Sequence, residues 1–194
     1  TTFKRGIRFI NVPTTLLSAV DAAVGGKTGI NFNGLKNEIG AFREADAVLI
    51  ATAFLKTLPE NEIKSGYAEM LKHGLLSSYK SYRKLIEYNI SELSEDRLLT
   101  LLEESVGVKR NIVEQDPFEK GLRKALNLGH TAGHAFESMA LKSGKPIPHG
   151  YAVAWGLIVE MILSKLIKDL DSNILYELTD YTYSHYGAFN ITSH

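Results

Sequence analysis

The sequence predicts a mainly α protein, a helical bundle that carries a short α/β edge at its N-terminus. Three observations lead there. After Leu58, apolar residues recur at helical spacing through most of the remaining chain. Before that point lie two short β-branched runs, residues 7–12 (IRFINV) and 47–51 (AVLIA). Finally, 194 residues that are 44% hydrophobic and 23% charged suffice for one domain with its own core, or one domain with a small appendage.

The elements follow in order. Residues 7–12 read as a short buried strand stopped by Pro13. PTTLLSAVDAAV reads as a helix that opens on threonines and breaks at Gly25 and Gly26. GGKTGINFNGLKNEIGAF has glycine and asparagine at short intervals, which predicts an ordered loop with tight turns rather than regular structure. A second strand is expected at 47–51. Pro59 followed by acidic residues marks the start of a helix, because proline suits the first turn and carboxylates face the positive end of the helix dipole. Further helices are expected near 80–89, 95–114, 120–140, 150–168 and 171–186. The expected division places an edge and connecting loop at 1–57 and an all-helical unit at 58–194. No internal repeat, low-complexity tract or Pro/Ser linker interrupts it.

Formal net charge is zero and the basic residues are dispersed, so nothing points to nucleic acid or an anionic membrane surface. With no cysteine, disulfides and thiolate metal sites are excluded, and a metal would need His, Asp or Glu. A reducing, cytoplasmic setting agrees with this. The longest apolar stretch, residues 152–163, falls short of the roughly 18 residues of a bilayer span and contains Glu160. It is expected to be the most buried core helix. No signal peptide precedes it, and the opening TTFKRG, without methionine, suggests part of a larger polypeptide.

Three groups of residues could carry chemistry. His130 and His134 in LNLGHTAGHAFE are four apart, so on a helix their side chains share a face about 6 Å apart. No Glu follows the first His, so this is not the HExxH metalloprotease signature. His149 opens the helix of HGYAVAWG, while Glu69 and Lys72 sit one turn apart in SGYAEMLKHG. A solvated Glu–Lys pair is one reading. The other is that a lone Glu joins two imidazoles from other helices as the three-ligand set of an open catalytic zinc site.

The second group surrounds the double glycine: Asp21, Lys27, Lys36 and Asn37. Glycines admit a ligand close to the backbone and lysines offer compact charge for phosphate, but the spacing is not that of a Walker loop. A glycine-rich connector with solvated lysines is the alternative. The third group is Lys109, Arg123 and Asn127. Arg123 and Asn127 are four apart and share a face, and with His130 and His134 they continue along one stripe flanked by Leu126, Leu128 and Phe136. Burying those polar groups unpaired would cost a few kcal/mol each, so the stripe is expected to line a polar cleft.

In this order, RGIRFINVPTTLLSAVDAAVGGKTGIN, LKNEIGAF, FLKTLPENEIKSGYAEMLKHGL, GLRKALNLGHTAGHAFE and HGYAVAWG resemble the 3-dehydroquinate synthase family. The resemblance runs from Arg5 to about Leu166. It implies a lyase of the shikimate pathway for aromatic amino acid biosynthesis, converting 3-deoxy-D-arabino-heptulosonate 7-phosphate to 3-dehydroquinate and phosphate with NAD and zinc, cobalt being an alternative metal. It implies zinc ligands at Glu69, His130 and His149, with His134 beside the metal as a proton relay. Lys109 and Arg123 match contacts to the substrate carboxylate, and Lys72 and Asn127 match residues near the ring. Arg5, Lys27 and Asn37 match groups around the phosphate, Arg5 reaching a neighbouring subunit. Asp21, Thr14, Thr15, Lys27, Lys36, Phe54, Leu55, Lys56 and Thr57 match positions that touch NAD. The partner is thus a small sugar phosphate, and the family is usually homodimeric.

The family's nucleotide-binding domain would precede Thr1 and a further lysine would follow His194. The chain is therefore expected to be the metal and substrate portion of the enzyme, inactive alone. Tyr151 stands where many relatives carry Glu. Two other readings remain: a related sugar-phosphate cyclase, and a non-catalytic zinc-binding helical module.

Overall fold

The computed structural model describes residues 3–33, 35–91 and 95–191. The side chains of Arg5, Lys36 and Asn37, expected around phosphate or NAD, lie outside the described residues.

The helical bundle is built from α1 (Glu60–Ser77), α2 (Tyr79–Ile86), α3 (Glu95–Gln115), α4 (His130–Lys142), α5 (His149–Lys168) and α6 (Ser172–Tyr186). Pro59 caps α1, and Glu60 and Glu62 occupy its first turn, as the composition of that stretch demands. α1 is the central helix. Ile63, Tyr67, Met70 and Leu71 are buried in the core with Leu16 and Val20 before it and Leu98 and Leu102 of α3 after it. The Tyr67 hydroxyl donates to the Leu85 carbonyl at 2.9 Å, so the aromatic ring is buried without an unpaired hydroxyl.

The expectation that α5 is the most buried helix is corrected: α1 is. Ala152, Val153, Ala154 and Leu157 of α5 are fully buried, but Ile162, Leu163, Leu166 and Ile167 are between 43% and 76% exposed. Among the described residues α5 alone is long and apolar enough, by length and composition, to cross a membrane. Its first half packs against α1, α4 and α6 as a core helix. Glu160 in its middle accepts the Thr131 backbone N–H at 3.1 Å.

The N-terminal edge is thinner than expected. The two short strands β1 (Ile10–Asn11) and β4 (Ala47–Val48) pair in parallel. Ile7, Ile10 and Val12 are at least half exposed, so the strand is not buried. The expected helix after Pro13 contracts to one turn and a wider π-helical segment, Ser18–Ala22. Its start is held by a reciprocal pair, in which the Ser18 N–H donates to Thr15 Oγ1 at 3.1 Å and the Thr15 N–H to Ser18 Oγ at 3.2 Å.

The glycine-rich segment is not a loop. It forms an antiparallel hairpin of β2 (Lys27–Phe32) and β3 (Leu35–Phe42), with Ile30 opposite Ile39 and Lys27 opposite Phe42. Thr28, Ile30, Phe32, Ile39 and Phe42 supply β-branched and aromatic residues to the pairing, and Asn33 at φ 49 supplies the left-handed turn that asparagine tolerates. The density of Gly and Asn hides this period-two pattern.

A second correction bears on the site. The expected helix at 120–140 is two pieces, a 3₁₀ segment Leu122–Asn127 and α4, separated at Leu128 and Gly129. Gly129 sits at φ 80, and a Cβ there would come within 2.9 Å of Leu157 Cγ and 3.0 Å of the Val153 carbonyl oxygen. The left-handed turn pressed onto α5 requires glycine. Arg123 and Asn127 therefore do not share a helical stripe with His130 and His134.

Candidate metal centre

Three helix faces meet at one point. Glu69 and Lys72 project from the buried face of α1, His130 opens α4 and His149 opens α5. The α1–α5 contact that brings His149 in is very close. The Gly150 N–H donates to Ser65 Oγ at 3.0 Å, and a Cβ at Gly150 would lie 2.0 Å from the Ser65 carbonyl oxygen. Only glycine allows this approach, and the neighbouring imidazole is thereby set over Glu69.

The Glu69 carboxylate is fully buried. Its Oε2 accepts from the Lys72 ammonium. Its Oε1 has no hydrogen-bond partner, yet stands 3.5 Å from both His130 Nε2 and His149 Nε2. Burial resists ionisation of Glu69. The Lys72 ammonium and the two adjacent imidazoles outweigh it and hold the carboxyl well below the usual carboxylate range. A buried anionic oxygen without a hydrogen-bond partner is costly unless something occupies the gap.

The tautomers suit a cation. His130 Nδ1 lies 3.2 Å from the Leu128 carbonyl oxygen, which can only accept, so Nδ1 carries the proton and Nε2 its lone pair. Burial lowers the His130 pKa, which keeps the ring neutral. His149 Nδ1 lies 3.1 Å from Glu137 Oε1, again an acceptor. The two carboxylates beside the ring, Glu137 first and then Glu69, raise the His149 pKa to about 9, so an arriving cation displaces the proton from Nε2. Glu69, His130 and His149 offer ligand atoms within 4.8 Å of one another. Two nitrogens and one oxygen in that geometry fit a zinc-type ion and leave coordination positions open.

His134 is placed beside this group rather than in it. Its ring centroid is 5.4 Å from His130 and 6.2 Å from His149, and about half of its side chain is exposed.

A cleft of about 700 Å³ opens from the centre, and its walls include Asp21, Lys27, Lys72, Lys109, Arg123, Asn127 and His130. Arg123, Asn127 and His130 of the expected stripe thus do meet a polar cleft, by convergence of separate elements, whereas His134 is not among its walls. Lys109 Nζ, on α3, bonds Asp21 Oδ1 at 2.5 Å. Burial lowers the Lys109 pKa, while Asp21 works against this; Asp21, resisted by its own burial, is held low by Lys109. Arg123 is 3% exposed, and its guanidinium donates to the Pro117 and Gly25 carbonyls at 2.6 and 2.8 Å. Thr14, Thr15, Phe54, Leu55, Lys56 and Thr57 do not line this cleft. Thr15 is engaged with Ser18, and Leu55 is part of the core.

Two acidic residues escape a reading of the sequence. Glu119 pairs with Lys27 and accepts from Asn127 Nδ2 at 3.0 Å. It sits in a turn at φ 57 that Asp116 ties by accepting the Lys120, Gly121 and Arg123 N–H groups. The second is Glu137. Nothing in its local pattern separates it from a solvent-facing helix residue.

Comparison with known proteins gives two family matches that meet inside α1. The family described as 3-dehydroquinate synthase C-terminal matches residues 66–190, and 3-dehydroquinate synthase N-terminal matches residues 1–65. The chain is 52% identical over 187 residues to a 3-dehydroquinate synthase of Parabacteroides distasonis, covering 96% of this chain and 53% of the relative. It is 46% identical to the 3-dehydroquinate synthase of Bacillus anthracis, covering 95% of this chain and 50% of that one. The chain spans about half the length of these curated relatives. A solved 2-epi-5-epi-valiolone synthase from Streptomyces hygroscopicus subsp. jinggangensis, with NAD+ and Zn2+ bound, superposes with a TM-score of 0.86 at 25% identity over 98% of this chain and 54% of that one. A 2-deoxy-scyllo-inosose synthase complexed with carbaglucose-6-phosphate, NAD+ and Co2+ superposes at 0.81 and 25% identity, covering 96% of this chain and 50% of that one.

Proposed function

The chain belongs to the 3-dehydroquinate synthase family, and from that premise we propose that it forms the metal- and substrate-binding portion of an enzyme making 3-dehydroquinate and phosphate from 3-deoxy-D-arabino-heptulosonate 7-phosphate. The observation that carries this reading is the orphaned Glu69 Oε1 midway between two imidazole Nε2 atoms. When bound, zinc would supply Lewis-acid polarisation of adjacent substrate oxygens and NAD a reversible acceptor of hydride.

The residues of the chain then take these roles. Glu69, His130 and His149 hold the metal. His134, beside the cleft and partly exposed, passes the proton that substrate oxygens release. Lys109 and Arg123 receive the substrate carboxylate, Arg123 by turning from the backbone carbonyls it now bonds. Lys72 and Asn127 bond ring hydroxyls, while Lys27, with Arg5 and Asn37, neutralises the phosphate. Asp21, Thr14, Thr15, Lys36, Phe54, Leu55, Lys56 and Thr57 face the dinucleotide. Residues 1–57 act as the edge of the nucleotide-binding unit and 58–194 as the metal and substrate unit. The setting is cytoplasmic, and the full-length enzyme is a homodimer.

A carbasugar-forming cyclase is the second reading, favoured by the likeness to the two solved cyclases. Lys109 and Arg123, two cations in one cleft, favour a substrate that carries a carboxylate. The test is phosphate release with zinc and NAD, using the chain alone and with the uncovered part of the Parabacteroides relative supplied in trans. Turnover of the carboxylated substrate, and none of a carboxylate-free seven-carbon sugar phosphate, is expected. The opposite preference would overturn the assignment.

A further inference from the structure

His130 and His149 reach the same carboxylate oxygen by different means. The Nδ1 of His130 is held by a backbone carbonyl two residues away, a partner that no side-chain substitution removes. The Nδ1 of His149 is held by a side chain twelve residues earlier, Glu137 Oε1, at 3.1 Å. Glu137 lies on α4, the helix that begins with His130, so one helix supplies both a metal-facing imidazole and the group bonded to the other imidazole. We propose that Glu137 is a positioning residue, accepting the Nδ1–H of His149 and so fixing the tautomer and ring plane that turn Nε2 toward Glu69 and His130. This rests on the metal reading above.

The physical reason is that an imidazole binds a cation only through a lone pair. A carboxylate on the opposite nitrogen keeps the proton there, raises the basicity of the ligating nitrogen and stops the ring from rotating. His149 is the ligand that needs such help. It stands at the first residue of α5, behind an extended Pro148, with a quarter of its side chain exposed. The other oxygen of Glu137, Oε2, lies 3.9 Å from His134 Nε2. The same carboxylate therefore sits between the metal-facing imidazole and the one assigned to proton transfer. His134, Glu137 and His149 also bring ligand atoms within 4.8 Å of one another, so direct ligation of a second cation is the rival role for Glu137.

The experiment is titration of the metal-free chain with Co2+, followed by its visible spectrum, and then Zn2+ competition. The parent, Glu137→Ala and Glu137→Gln are compared, with thermal melting of each metal-free protein. The parent is expected to bind one Co2+. E137A should bind 10–100-fold more weakly with an altered band shape, at unchanged melting temperature. E137Q should lose less, because its amide oxygen can still accept from Nδ1, and it carries the test should E137A fail to fold. Parent-like affinity in both variants would overturn the proposal. So would two Co2+ per parent chain with one lost in E137A, which would make Glu137 a ligand. A parent that binds no Co2+ would instead overturn the metal reading on which the proposal stands.

Discussion

Lys72 stands one turn after Glu69 on α1 and its ammonium bonds Glu69 Oε2, with 1% and 0% of the two side chains exposed. The pair divides the carboxylate. One oxygen is neutralised inside the helix, and the other is presented to His130 and His149. Removing Lys72 leaves a buried anion without its counter-charge, which costs about 3–5 kcal/mol in comparable pairs. Lys72→Met is expected to destabilise the metal-free chain by that order in urea melts, with much of the loss recovered in excess Zn2+. Equal destabilisation with and without Zn2+ would show that the cation does not reach Glu69.

The two α4 histidines should separate cleanly. His130→Ala is expected to abolish binding of one equivalent of Zn2+ measured by calorimetry, because Nε2 faces Glu69 at 3.5 Å. His134→Ala should keep binding, its ring lying outside the three-ligand group. Equal loss in both variants would reverse the division of roles.

Gly150 offers a test of the scaffold. A methyl there would meet the Ser65 carbonyl oxygen at 2.0 Å, so α5 must shift off α1. Gly150→Ala is expected to cost about 1–3 kcal/mol of stability and to weaken Zn2+ binding by displacing the adjacent His149. Parent-like Zn2+ affinity would mean that His149 is placed by something else.

Acid should act through His73. This fully buried imidazole bonds Ser105 Oγ through Nδ1 at 2.8 Å and has no partner for Nε2. Burial, then the Lys72 ammonium, pushes its pKa down to about 3; Lys109 adds to this, while Glu69 and Asp21 oppose it. Since the folded value lies below the unfolded one near 6.5, the unfolded chain takes up the extra proton. This contribution is therefore complete above about pH 6.5 and falls by about 1.4 kcal/mol per unit as pH drops towards 3. His73→Gln should flatten urea-melt stability between pH 6 and pH 4. An unchanged slope would exclude His73 as its source.

Legibility differed from residue to residue. His130 stands out in the sequence through its spacing from His134, and His149 through its place at a helix start, while Glu69 reads equally as a solvated partner of Lys72 until the resemblance joins the three. The single stripe expected from Arg123 to His134 is broken at Gly129, which looks like a tolerable helix glycine until Leu157 and the Val153 carbonyl are seen against it. The β2–β3 hairpin was hidden by its glycines and asparagines, whose turn-forming chemistry masked the alternation beneath. Glu119 and Glu137 gave no local signal, since each acts on a residue remote in sequence or on another helix.

The amino-acid sequence by itself determined the helical bundle, the helix starts at Pro59 and His149, and a donor set without sulfur. These depend on periodicity, capping and composition, which are local. The tertiary structure alone decided which oxygen of Glu69 remains unpaired, which acceptor the Nδ1 of each imidazole faces, and that Arg123 and Asn127 meet His130 across a break. Those outcomes depend on close approaches between elements far apart in the chain, such as Gly150 against Ser65, where a few tenths of an ångström separate contact from clash.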